Sequence, residues 1–103
     1  MNKLSVLAEF EKIAVREKLE DDAFKLFLLL LVNYDSDKQY GEISRGVIMN
    51  SLGNLFPLAL FSRACRRLAT LGLIEIVLQP HGKFTEYDSI MIYRIPLATT
   101  VRM

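Results

Sequence analysis

A chain of 103 residues, 51% of them hydrophobic, carries enough apolar side chain for one modest core and reads as a single domain over residues 1–103. Thirteen Lys and Arg against twelve Asp and Glu leave a formal charge of +1, which excludes a protein that acts through a uniform basic or acidic field. One cysteine, Cys65, and one histidine, His81, exclude an intrachain disulfide and a zinc site built from several Cys or His.

The small net charge hides a segregation. Residues 1–42 hold nine acids and six bases, whereas residues 43–103 hold three acids (Glu75, Glu86 and Asp88) and seven bases. Residues 43–74 contain no acid at all, only Arg45, Arg63, Arg66 and Arg67. Charge placed in this way marks a surface better than the sum does. The longest apolar run, residues 26–32, is seven residues long, against the roughly 20 that a membrane span needs. No cationic start leads into an apolar signal run. The expectation is a protein of the reducing cytoplasm with no membrane association.

Residues 4–19 have the spacing of a first helix, with Leu4, Leu7, Ala8, Phe10, Ile13 and Ala14 on its apolar side. Glu20, Asp21 and Asp22 form an acidic break in which Asp21 or Asp22 is the candidate cap of the next helix. Residues 23–34 predict a second helix that is apolar nearly all round, with Lys25 its only charge, and this places it at the centre of the core. Residues 33–41 read as a polar connection. Asn33, Asp35 and Asp37 alternate as in a calcium loop, but Lys38 stands where the glycine is needed and Ser44 where the glutamate is needed. No metal is expected there.

A very short strand at residues 41–44 leads to Ser44 as the cap of a third helix over residues 45–52, ended by Gly53. A fourth helix is predicted over residues 57–71. Pro57 suits its first position, where a missing N–H breaks no bond, and Gly72 suits the left-handed position just past its end. Phe61, Ala64, Cys65, Leu68 and Leu71 make one apolar stripe on it, and Ala59, Arg63, Arg66, Arg67 and Thr70 fall on the other side. Residues 73–79 and 89–95 alternate as two strands, joined by a projecting tip punctuated by Pro80 and Gly82. Pro96 closes the second strand, and residues 97–103 are expected to fray.

Helix, short strand, helix, tight turn, helix and hairpin, in that order, resemble the winged helix-turn-helix family of DNA-binding domains. The closest local likeness is residues 62–74, SRACRRLATLGLI, which is similar to the recognition helix of that family and its exit into the wing. The resemblance implies an α+β, mostly α fold: a three-helix core with a β-hairpin wing over residues 22–96, plus an extra N-terminal helix at 4–19 and a tail at 97–103. It further implies that the fourth helix enters the major groove. Arg63, Arg66 and Arg67 would then reach phosphates or base edges, with Ala59 and Ser62 on the same helix, Ser44 and Arg45 at phosphate, and Lys83 at the wing tip. Arginine suits both tasks, because its planar fork can pair with guanine or straddle a phosphate.

The implied function is sequence-specific or semi-specific binding of double-stranded DNA by a small transcriptional regulator. A homodimer is expected, with the N-terminal helix as the candidate contact surface. No cofactor and no small-molecule ligand is expected. Ser44, Ser62 and Ser89 have no adjacent base, His81 has no second ligand, and Cys65 sits on the packed stripe, so no catalytic group assembles. Two alternatives stand beside this. The arginines can form a solvated face that pairs with the acidic N-terminal half. Alternatively, the same fold can serve as a protein-interaction module, with the apolar turn of Leu55, Phe56, Leu58 and Leu60 as a partner surface.

Overall fold

Where this chain can and cannot continue a helix determines the order of its elements. The computed structural model describes residues 3–52, 58–78 and 90–100. Over these it runs α1 (Lys3–Arg16), α2 (Asp21–Val32), β1 (Tyr34–Asp35), β2 (Tyr40–Ser44), α3 (Arg45–Leu52), α4 (Leu58–Thr70), β3 (Glu75–Leu78), β4 (Ile90–Arg94) and α5 (Pro96–Thr100). The fold is α+β and mostly helical, with a small antiparallel sheet in the order β1-β2-β4-β3.

α2 occupies the centre that its composition calls for. Ala23, Leu26, Phe27, Leu30 and Leu31 are all buried, too many directions for one stripe, and both α3 and α4 pack against it. The position before its first turn belongs to Glu20, which is extended (φ −67°, ψ 152°) and makes no side-chain cap. This corrects the expected cap. Asp21 and Asp22 lie inside the first turn, where their charge complements the unpaired amide groups without capping them. At the other end, the Asn33 side-chain amide donates to the Leu29 carbonyl at 2.9 Å, and the buried Tyr93 hydroxyl donates to the Leu30 carbonyl. Both carbonyls belong to the last turn, where backbone donors run out; that of Leu29 also accepts the Asn33 N–H at 3.2 Å. Gly41 is required beside this contact, because a Cβ there would enter the Tyr93 ring.

α1 turns most of its expected side to the core, with Leu4 and Ala8 as the exceptions and Val6 as an addition. Val6, Phe10 and Ala14 are buried, Leu7 and Ile13 are half-buried, and Leu4 and Ala8 stand in solvent, Leu4 at 75% exposure. The stack of Phe10 on Phe27, with ring centroids 3.9 Å apart and planes 15° from parallel, sets the rotation that brings in Val6 and leaves Leu4 and Ala8 outside. α1 also ends earlier than expected, at Arg16.

The C-termini of α1 and α4 close in the same way. After α1, Leu19 N–H donates to the Ala14 carbonyl (2.9 Å) and Lys18 N–H to that of Val15 (3.3 Å). After α4, Leu73 N–H donates to Leu68 (2.9 Å) and Gly72 N–H to Ala69 (3.0 Å). This paired pattern needs a left-handed residue, supplied by Lys18 (φ 52°) in one case and Gly72 (φ 74°) in the other.

In the sheet, Ile43, Met91 and Tyr93 point inward and are buried, while Glu42, Ile90 and Arg94 point outward. The expected loop at residues 33–41 contains β1 and a tight turn. One Asp35 carboxylate oxygen accepts the N–H groups of Asp37 (3.0 Å) and Lys38 (3.2 Å), so that carboxylate folds the turn. α3 covers the predicted residues, and Ser44 Oγ accepts the Val47 N–H at 3.1 Å as its cap.

The tail needs correction too. Pro96 ends β4 and also opens α5, whose Ala98 is buried and which packs on α1. A fixed φ and a missing N–H suit the first helical position as well as they stop a strand. Gly53, Leu55, Phe56 and Pro57, the tip with Pro80, His81, Gly82, Lys83, Glu86 and Asp88, and residues 101–103 lie outside the described residues.

Candidate nucleic-acid interface

The direction of every arginine on α4 is set by what the helix buries. Phe61, Ala64, Cys65 and Leu68 are buried and Leu71 is half-buried, which leaves Ser62, Arg63, Arg66 and Thr70 exposed and Arg67 at the border. Burial pushes the Cys65 thiol up to about 12. It is a neutral core group at physiological pH and not a nucleophile.

The three arginines do not form one free surface. Arg67 turns back to the link between α1 and α2. Its Nη2 donates to the Glu17 carbonyl at 2.8 Å and its Nε to a Glu20 carboxylate oxygen at 3.3 Å. Arg63 reaches Asp22 in the first turn of α2, with an N···O distance of 3.5 Å. The two pairs differ in setting. The Arg67 side chain is 32% exposed and holds two acceptors, whereas the Arg63 side chain is 65% exposed and holds one carboxylate. Arg66 is exposed and holds no carboxylate among the described residues.

On α3, the Ser44 hydroxyl oxygen is engaged by its own helix. Arg45 follows it, half-buried, with its Nη1 nitrogen removed from solvent and lacking an acceptor among the described residues. A cation at a helix N-terminus is disfavoured by the helix dipole, and a buried N–H without a partner has lost its hydration. An anion near the helix start would offset the first of these. The side chain of Ala59, and Lys83 altogether, lie outside the described residues. Leu60 is half-buried, and the rest of the apolar turn is not described.

No protein family, curated protein or solved structure matches the chain. Among the described residues, no group of three or more His, Cys, Asp or Glu could hold a metal ion, and no helix is long and apolar enough to cross a membrane.

Glu20 and Asp22 are the residues of this surface that the resemblance does not single out. The available signal was the charge segregation itself: an acidic first half and an acid-free segment holding four arginines. It indicates that the two can meet, but it does not say which carboxylate meets which arginine.

Proposed function

We propose that this chain is a winged helix-turn-helix domain that binds double-stranded DNA through the start of α3 and the outer side of α4, and acts as a small transcriptional regulator. Support for the architecture lies in the run α2, β1, β2, α3, α4, β3, β4, with the two-residue β1 as an addition, and in β4 lying between β2 and β3. The observation that carries the binding reading is that Arg45 and Arg66, in an acid-free stretch, hold no carboxylate among the described residues. Arg66 is free to meet a phosphate or a base edge, and a phosphate near the start of α3 would offset the unfavourable helix field at Arg45. Arg63 and Ser62 flank this surface. Arg67, already holding two acceptors, is assigned to the fold.

Titration of a labelled duplex at several salt concentrations tests this reading. Replacing Arg45 and Arg66 by alanine should weaken binding and flatten the plot of log affinity against log salt by about one unit for each lost phosphate contact. Unchanged affinity and slope in a folded double variant would overturn it.

A second reading is favoured by different residues. Leu4 and Val15 on α1 are 75% and 80% exposed, and Val32 at the end of α2 is 71% exposed, while two of the three α4 arginines are already paired. These features suit a protein-interaction module, and they equally suit α1 as the contact of a homodimer. Light scattering beside the titration separates the readings: an interaction module associates without duplex and ignores it when it is added.

A further inference from the structure

The pairing of Arg63 with Asp22 matters beyond stability. Asp22 lies in the first turn of α2, where the helix dipole favours its charge whether or not a cation is near. Its side chain is 36% exposed, so water can replace the guanidinium. Arg63 has no other acceptor among the described residues, and 3.5 Å is long beside the 2.7–2.9 Å of a well-formed charged hydrogen bond. Each member of the pair can therefore part from the other without being stranded. Arg67 is held differently, by a backbone carbonyl at 2.8 Å as well as by Glu20, and cannot leave without exposing an unpaired helix end.

We infer that Asp22 is a built-in competitor for the polyanion: it occupies Arg63 in the free domain and yields it to a phosphate when duplex binds, so that the acidic start of α2 sets the affinity of the α4 surface below what its arginines alone would give. The inference rests on the duplex-binding reading above. The exchange is favourable because a duplex presents a phosphate charge about every 1.7 Å of axis and releases its condensed counterions on binding, whereas Asp22 is one carboxylate in water. Glu20 does not take part, because the cation it holds is engaged twice. The affinity of the domain is then adjustable at a residue that never touches nucleic acid.

The test is a duplex titration of four folded proteins, each checked by circular dichroism: the natural chain, Asp22→Asn, Arg63→Ala, and the two changes combined. Asparagine keeps the shape of the side chain and is tolerated in a first turn. Asp22→Asn should bind roughly 2- to 5-fold more tightly at low salt, the range expected when an exposed ion pair no longer has to open. In the Arg63→Ala background the same change should give no gain. Tighter binding that persists without Arg63 would overturn the competition in favour of a general charge effect. Unchanged or weaker binding of Asp22→Asn would overturn it in favour of a carboxylate that is idle or that positions Arg63. Failure of all four proteins to bind duplex would instead remove the underlying reading, and the competition with it.

Discussion

Arg66 and Arg67 are neighbours in the chain and carry the same side chain, yet Arg66 stands in solvent while Arg67 joins the end of α1 to the start of α2. One step along a helix turns a side chain by about a quarter of the circumference. Here that turn separates a surface available to a ligand from a clasp that holds two helices. A stretch without acids in sequence is not a stretch without acids in space. The acidic link between α1 and α2 lies against one side of α4, and the positive surface is smaller than three arginines in five residues suggest.

Alkali should weaken the fold more than the loss of any one ion pair, because guanidinium groups keep their charge while Cys65 and Tyr93 are buried in their neutral forms and ionise more readily in the unfolded chain. Burial pushes Cys65 up to about 12 from an ordinary 9.0, and burial, with the neighbouring Tyr34, raises Tyr93 above its ordinary 10.0. The unfolded chain gives up these protons from about pH 9, while the folded chain retains them. This stability is therefore complete below the unfolded values and lost as pH rises above them. Chemical denaturation should report a loss on the order of 2 kcal/mol by pH 11, with a flatter profile for Cys65→Ala. A profile that is the same with and without the thiol would contradict its burial.

The comparison sharpens on α4 itself. Arg67→Ala removes bonds to Glu17 and Glu20 at a half-buried site and should cost about 1 kcal/mol of unfolding free energy. Arg63→Ala, which breaks one exposed pair, should stay within about 0.5 kcal/mol. Equal losses from the two would mean that the clasp is no more than a surface contact.

A change of similar or smaller size lies in the link itself. Lys18 and Gly72 close α1 and α4 with the same two bonds, but a lysine at φ 52° is strained where a glycine at 74° is not. Lys18→Gly should stabilise the fold by up to about 1 kcal/mol. Gly72→Ala should cost about that much, and for conformational reasons alone, since nothing lies within 4 Å of an added Cβ. Thermal melts of the two variants moving in the same direction would contradict this account.

The parts legible in the sequence are those governed by neighbours along the chain. Ser44 and its helix, the stop at Gly72 and the apolar stripe of α4 each depend on residues within a turn or two. The central place of α2 follows from its composition. The face of α1 was legible in part: Phe10, Ala14, Leu7 and Ile13 turn inward as their spacing suggests, whereas Leu4 and Ala8 give way to Val6, a choice made by the distant contact of Phe10 with Phe27. α5 was missed because Pro96 is both a strand stop and a helix start, and only the packing of Ala98 and Leu97 decides between them. On the surface, the outward place of Arg66 was readable from its spacing against Leu68 and Cys65. The fate of Arg67 was not, since Glu20 lies 47 residues away and no local pattern links them.

The most direct measurement is a duplex titration of Arg66→Ala and Arg67→Ala side by side at two salt concentrations, with a thermal melt of each. Arg66→Ala should lose affinity and salt dependence with its melting temperature unchanged, while Arg67→Ala should melt earlier and, where folded, bind nearly as the natural chain does. Binding by Arg66→Ala that is indistinguishable from that of the natural chain would contradict the division of labour on α4.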